Sequence, residues 1–414
     1  MIAYGNDKFE LINPFNVNVT PEGWEQIKNY PSSREFSSGI VNDNKIYIFS
    51  GVNSNNNMFN DFWAYDITDN SWTQKTSGAT ARGFHTAVVS NGKMYVFGGN
   101  YQSGMLNDVW EYDIANDSWT QKTSGATARG YHTAVVSNGK MYIFGGYHSG
   151  VLNDIWEYDI TNNSWTQKTS GATARGYHTA VVSNGKMYVF GGLDKNNNFL
   201  NDVWEYDIAN DSWTQKTSGA TARIGHTSIV SNDKMYVFGG LDKNNNYLND
   251  IWVYDIANDS WTQKTSGATA RGYHTAVVKD GKMYVFGGYD GNNAFNDLWE
   301  YDIANDSWLQ DISGATSRGT ATSVVYQKNI YILGGIDENY KKLNDLWKYD
   351  IFTYTFSIPS NNVKDKQGIS LSENEGTSRP IRTSASGIPF FDTTLGKPIW
   401  YDGTQWVDAS GTAV

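Results

Sequence analysis

Apolar residues in this chain come in short bursts and never at a helical period. Met94-Tyr95-Val96-Phe97 is a four-residue apolar run closed by Gly98-Gly99. Val109-Trp110-Glu111-Tyr112 alternates apolar and polar positions, and His85-Thr86-Ala87-Val88-Val89 is small and apolar. Runs this short, bounded by turn residues, predict strands rather than helices. The pattern predicts strands over 85–89, 94–97 and 109–112, with a fourth starting at Trp119-Thr120-Gln121. Asn91-Gly92 predicts a two-residue hairpin turn, because both residues tolerate positive φ. Asp113 to Asp117 predicts the turn between the third and fourth strands.

This four-strand pattern recurs seven times. Its second glycine stands at 51, 99, 146, 192, 240, 288 and 335, at spacings of 48, 47, 46, 48, 48 and 47. In the first six units that glycine precedes the next Asn-Asp by 9, 8, 7, 9, 9 and 8 residues, so the remainder of every unit is 39 residues long. All length variation falls in the connection between the second and third strands. Repeats of this kind share one continuous core, which overrides the domain count that 414 residues would otherwise suggest.

The Gly-Gly pair, the Tyr-Asp and a Trp seven residues after that Tyr (Tyr112 and Trp119) resemble kelch repeats. The resemblance covers residues 34 to 358. It implies an all-β chain folded as a seven-bladed kelch-type β-propeller. Two copies depart from the pattern: Ser50-Gly51 replaces the glycine pair in the first, and the last has Phe356 for the fourth-strand Trp and Ala321 for the His. Trp24 stands ten residues before Arg34, as Trp72 stands ten before Arg82. Trp24 is therefore expected to open a fourth strand for the last blade, pairing with its third strand or lying beside Phe356. Such closure hides the edge strands that would otherwise invite aggregation. Fourteen of the sixteen Trp then occupy fixed strand positions, where flat rings suit packing between sheets.

Composition narrows the function. The net charge is -11 and the basic residues are scattered, so nucleic acid is not an expected partner. No segment approaches the ~20 apolar residues of a membrane span, and the first residues lack a signal-peptide pattern, so neither membrane insertion nor secretion is expected. There is no cysteine. Some kelch-like propellers are copper oxidases that need a cysteine cross-linked to tyrosine, and that chemistry is not open to this chain. No carboxylate pair breaks the repeat, and no enzyme activity or cofactor is expected.

Three recurring sets could carry chemistry. Arg34, Arg82, Arg129, Arg175, Arg223, Arg271 and Arg318 form one ring. It is either an anion site or a structural set donating to loop carbonyls and to the Asp of Asn-Asp, a role suited to the guanidinium fork. His85, His132, His178, His226 and His274 are equivalent in five units. They suggest a metal, but equivalent residues of adjacent blades stand too far apart for bonds of about 2 Å, which favours hydrogen-bonded core histidines. Asp194 to Asn198 and Asp242 to Asn246 resemble the first half of a calcium loop but lack its Gly and closing Glu, so no metal site is assigned.

The variable connections hold the candidate binding residues: Asn100, Tyr101, Gln102, Tyr147, His148, Asp194, Lys195, Asp242, Lys243, Tyr289, Asp290, Asp337 and Tyr340. In a propeller these loops share one face with the blade-to-blade connections. Their Tyr, Asn, Ser and Gly content is that of an adaptable recognition surface; drift in unconstrained loops is the competing account.

The ends differ from the repeat. Residues 1–19 are expected to be an extension or anchor, 20–358 the propeller, 359–378 a polar linker and 379–414 a tail. In the tail, Asp402-Gly403 predicts a hairpin between Ile399-Trp400-Tyr401 and Gln405-Trp406-Val407. Its aromatic residues Phe390, Phe391, Trp400, Tyr401 and Trp406 are expected to dock on another chain, since a lone hairpin is marginal. Phe391-Asp392-Thr393-Thr394-Leu395-Gly396-Lys397-Pro398-Ile399-Trp400 resembles the C-terminal segment of tail-appendage and structural proteins of phages infecting gut Bacteroidetes, including crAss-like phages. That resemblance implies a virion tail protein assembled in the host bacterial cytoplasm. Its expected partners are other virion tail proteins and a host surface glycan or surface protein. A connector binding only other phage proteins, and a bacterial cytoplasmic kelch scaffold, are the alternatives.

Overall fold

The computed structural model describes residues 23–102, 104–311 and 314–351, together with the backbone of three strands between 390 and 408. Two compact units divide the chain: Gly23–Asp350, and Met1–Glu22 with Ile351–Val414.

Gly23–Asp350 is a seven-bladed β-propeller. The second blade shows the pattern: Thr86–Ser90, Lys93–Phe97, Val109–Asp113 and Ser118–Lys122 form one antiparallel sheet in sequence order. Its first turn is built as the sequence predicts. Asn91 and Gly92 both take positive φ, 51° and 69°, the conformation that a tight hairpin needs. The first strands of neighbouring blades touch one another all the way round, which closes a ring about a central axis. Small residues suit that crowded position, and Ala87 and Val88 stay half-buried there.

The core lies between blades. Tyr47, Phe49, Phe62 and Ala64 of the first blade pack on Met94, Val96 and Tyr112 of the second. Second strands are buried along four of their five residues, as in Lys93–Phe97. Each fourth-strand Trp lies on the linker of the preceding blade. A Cβ on Gly78 would sit 2.3 Å from the Trp119 Cβ, so only glycine fits there. Trp119 Nε1 also donates to Thr76 O at 2.7 Å.

The seventh blade closes the ring as expected. Its strands Thr322–Tyr326, Asn329–Leu333 and Leu346–Asp350 take Trp24–Gln26 as the fourth, with Trp24 opposite Tyr349 and Gln26 opposite Trp347. Trp24 occupies the place of Trp119 in the second blade: a Cβ on Gly314 would meet its Cβ at 2.3 Å. The seam has polar contacts of its own. Lys342, almost fully buried, reaches Glu35 Oε1 at 3.0 Å and donates to Asn53 O at 2.7 Å.

Several local expectations need correction. The first strand starts at Thr86, one residue after His85, because Phe84 takes a positive φ of 57° and kinks the chain ahead of the ladder. The third strand does not alternate buried and exposed, since Glu111 is buried where it accepts from the Tyr95 hydroxyl at 2.9 Å and Lys93 Nζ at 2.7 Å. The tail is a three-stranded antiparallel sheet, Phe390–Asp392, Lys397–Tyr401 and Trp406–Asp408, rather than a single hairpin. Tyr401 pairs with Trp406, and the expected turn at Asp402-Gly403 lies outside the described residues. Phe356, residues 1–19 and residues 359–378 lie outside the described residues.

Ring closure should therefore depend on Trp24. Trp24→Ala is expected to cost about 3 kcal/mol in urea unfolding, at the low end of aromatic truncations because the ring is half-buried. A cost below about 1 kcal/mol would show that the propeller closes without this contact.

Candidate functional site

The connections between second and third strands and those between blades meet on one face. Isolated pairings tie them together: Gly83 with Asn100, Gly130 with Tyr147, Gly176 with Leu193, Ile224 with Leu241, Gly272 with Tyr289 and Gly319 with Ile336. Under this face lies the arginine ring. Arg82 Nη1 and Nη2 donate to Asp108 Oδ1 and Oδ2, both at 2.8 Å, Nη1 also to Gly98 O at 3.0 Å, and Nε to Thr80 O at 2.8 Å. Trp110 Nε1 donates to the same carboxylate at 2.6 Å. The backbone of Arg82 belongs to the preceding blade: its N donates to Phe59 O at 3.1 Å, and its O accepts from Gly51 N at 3.2 Å. The paired Asp is equivalent in every blade, and all seven arginines are fully buried. These guanidiniums are consumed by the scaffold, which excludes the anion-site reading. At Asp154 and Asp345 burial opposes ionisation, but the arginine hydrogen bonds and charge outweigh it and hold the carboxyl below its ordinary range.

The histidines form a second belt. Nε2 of His132, His178, His226 and His274 shares a hydrogen bond of 2.8–2.9 Å with the hydroxyl of Thr86, Thr133, Thr179 and Thr227 on the preceding blade. His85 departs from this: its ring packs edge-on against Phe49 and neither ring nitrogen has a protein partner. Burial, followed by the charge of the neighbouring arginine, pushes His85, His178 and His274 down to about 3, and His132 and His226 well below their ordinary value. Among the described residues no cluster of His, Cys, Asp and Glu is arranged to hold a metal.

The loop candidates divide sharply. Asp194 Oδ1 accepts from Asn196 N and Asn198 N, both at 2.8 Å, and Asp242 repeats this with Asn244 and Asn246. Asp290 and Asp337 accept amides of their own loops in the same way. These carboxylates fold the loops they sit in. The oxygens that suggested half a calcium site are occupied by amides. Tyr289 is turned sideways: its ring covers Gly319 of the next blade and its hydroxyl donates to Ile336 O at 2.7 Å. Asn100 is half-buried, and its Oδ1 is enclosed without a protein partner. Tyr101 is half-buried in the short hairpin Asn100–Tyr101 and Gly104–Met105. Gln102, His148, Lys195 and Lys243 are exposed, and Tyr147 and Tyr340 are 42% and 80% exposed. Phe390, Phe391, Trp400, Tyr401 and Trp406 lie in the tail sheet, apart from these loops in sequence.

Sequence reasoning passed over one set on this face. The residue before the histidine position is aromatic in five blades: Phe36, Phe84, Tyr131, Tyr177 and Tyr273, all at φ of 53–58°. Phe36 stacks on Phe84, Phe84 on Tyr131 and Tyr131 on Tyr177, with ring centroids 4.1, 4.4 and 4.5 Å apart. Tyr177 and Tyr273 are 41% and 36% exposed. The signal was present as an aromatic recurring two residues after the arginine, but strand periodicity assigns no role to a residue that lies outside the ladder.

The KLHDC2/KLHL20/DRC7 Kelch-repeats domain matches residues 13–171, 124–221 and 177–370. The chain belongs to this kelch-repeat family. No curated protein matches it.

Stability should carry the signature of the histidine belt. Each of these imidazoles takes up a proton in the unfolded chain near pH 6.5 but resists it in the fold, until about pH 3 at His85, His178 and His274. Their contribution is complete above pH 6.5 and is lost as pH falls toward 3, by ~1.4 kcal/mol per histidine per pH unit. Tm should be level above pH 7 and fall steeply from 6.5 to 4.5, and His178→Gln should flatten the fall. A level Tm across that window would contradict the burial of the belt.

Proposed function

We propose that this chain is a non-enzymatic recognition protein of a phage tail, meeting its partner through the variable-loop face of the propeller. The observation that carries the binding reading is the asymmetry between faces. One face holds every change in loop length and the exposed Tyr147, His148 and Tyr340, while the other holds its turns at one length, with Asn-Gly in three blades and Asp-Ile in all seven. A kelch propeller is suited to act as a protein-binding scaffold, and rigid aromatic side chains supply contact area at small entropic cost.

The tail reading has separate support. The segment from Phe391 to Trp400 resembles those of phage tail appendages, and a docked terminus would leave the loop face free to meet a host surface protein or glycan. A virion connector would use the same face for another phage protein, and adsorption separates the two. Mass spectrometry of purified particles tests the location; absence of the chain there leaves a cytoplasmic scaffold as the better reading.

The combined substitution Tyr147→Ala, His148→Ala and Tyr340→Ala should lower adsorption of the labelled chain to host cells at least tenfold, since exposed aromatic anchors carry much of an interface's energy. Stability should change by less than about 0.5 kcal/mol, as none of the three supports the core. Equal adsorption by the folded variant would assign the loop differences to drift.

A further inference from the structure

Six of the seven junctions between blades follow one pattern. Ser-Trp-Thr-Gln-Lys-Thr-Ser-Gly-Ala-Thr stands unchanged in the first five blades, so the fourth strand and its linker offer each neighbour the same surface. On the loop face, the residue two before Asn-Asp packs against the residue after the next blade's arginine. A Cβ on Gly130, Gly176 or Gly272 would lie 3.3, 3.7 and 3.2 Å from Met105, Val151 and Tyr247 of the preceding blade. At the first, fourth and sixth junctions the equivalent residues are Met58, Phe199 and Ala294, with Gly83, Ile224 and Gly319. None of these six pairs carries a charge.

The seventh junction, from the last blade to the first, departs at both positions. Lys342 stands against Glu35, and their side chains are only 7% and 12% exposed. Lys342 Nζ lies 3.0 Å from Glu35 Oε1 and donates to Asn53 O at 2.7 Å. Glu35 Oε2 accepts from the Thr320 hydroxyl at 3.1 Å, and Thr320 stands where five blades carry an aromatic ring. Three departures from the repeat are therefore bonded to one another. Others continue down the same seam. Ser37, in the histidine position, shares a hydrogen bond of 3.0 Å with the Thr322 hydroxyl. Gly39 stands where the other six blades have Ala or Ser, and a Cβ there would meet Thr322 Cγ2 at 2.6 Å. Near the opposite face Tyr326, where four blades have Ser, donates to Asn44 Oδ1.

We infer that Lys342, Glu35 and Thr320 form a register key, which makes the seventh blade accept a first blade and none of the others, in its own chain or in a second copy. Near-identical repeats can close on the wrong neighbour, and misassembly between repeats is a characteristic failure of such chains. Set on any other blade, Lys342 would lie against Gly or Ile, buried without its carboxylate. That penalty falls on the wrong pairing alone, which is how a specific contact rejects close competitors. A buried ion pair gains little stability over apolar residues of similar volume, so its use here is to choose the neighbour rather than to strengthen the ring. The key operates whatever the loop face binds.

The chain has no cysteine, so one introduced pair reports this seam without background. Ser37→Cys with Thr322→Cys puts two thiols where two hydroxyls now stand 3.0 Å apart. The full chain is refolded from urea, oxidised mildly and run on a non-reducing gel, where most of it should carry the intramolecular disulfide. Adding Lys342→Met and Glu35→Gln removes the charges and keeps the side-chain volumes. That change should lower the linked fraction at least threefold and raise dimers and larger species in light scattering. Tm of the closed monomer should stay level or rise, because the ion pair is not what holds the ring. If this variant does not fold, Lys342→Tyr with Glu35→Gly, the pair present at the fifth junction, should give the same result. An unchanged linked fraction would overturn the inference. With a level Tm the pair would then do nothing at the seam, and with a lower Tm it would be a support and not a key.

Discussion

A buried arginine holding an aspartate two-handed is the contact on which every blade depends. Each one bridges two blades, because the arginine backbone is bonded to the preceding sheet while its guanidinium reaches into its own, as Arg82 does between Gly51 and Asp108. Hydrophobic residues could fill this volume, and a buried ion pair often gains little over them in stability. What they could not do is fix direction. The guanidinium fork sets where the glycine carbonyl, the Asp of Asn-Asp and the third-strand Trp stand relative to each other. Stripping one partner leaves an uncompensated buried charge, at a cost of about 3–5 kcal/mol. The pair therefore fixes the two ends of the variable connection, and loop length can change between those ends without disturbing the scaffold.

That division explains where order is spent on the loop face. The Asp194 and Asp242 loops use a carboxylate to gather their own amides, so a polar segment of eight residues has a defined shape without a ligand or a core. Tyr289 covers Gly319 of the following blade and is lost to recognition. What is left for a partner is a small set of exposed rings and hydroxyls on an ordered base. Ordered surfaces of this kind lose little entropy on binding.

Much of this was legible in the chain. Strand number, blade number and closure through Trp24 follow from periodicity and from one spacing, because they express constraints that recur seven times. The arginine ring was legible in part, since a fork that needs acceptors stands at a fixed distance from an aspartate. Elsewhere the failures have a common cause. Glu111 looked like a solvent-facing residue because alternation registers side and not what waits there, and Tyr95 and Lys93 wait there. His85 looked like the other four histidines because identity in sequence hides the difference between the blades it faces: the second blade faces Ser38, not a threonine. Asp194, Asp242, Asp290 and Asp337 looked like free ligands because a carboxylate that bonds its own loop has the same letter as one that does not. The aromatic arc was missed because its members stand at positive φ, outside any strand.

Repetition also limits where specificity can reside. A ring of equivalent blades presents the same chemistry at each, and a partner meeting such a ring would find several near-equivalent registers. A single binding register needs a feature that occurs once. The loop face has few of these: the seam where Lys342 and Glu35 join the last blade to the first, the short hairpin at Tyr101, and the two ringless positions of the arc, glycine at 225 and threonine at 320. The seam is buried and polar, so its uniqueness serves closure. The hairpin is half-buried and raised on its loop. The ringless positions at Gly225 and Thr320 keep the collar's backbone but differ from each other and from the five aromatic ones, so together they break the equivalence of the blades on this face.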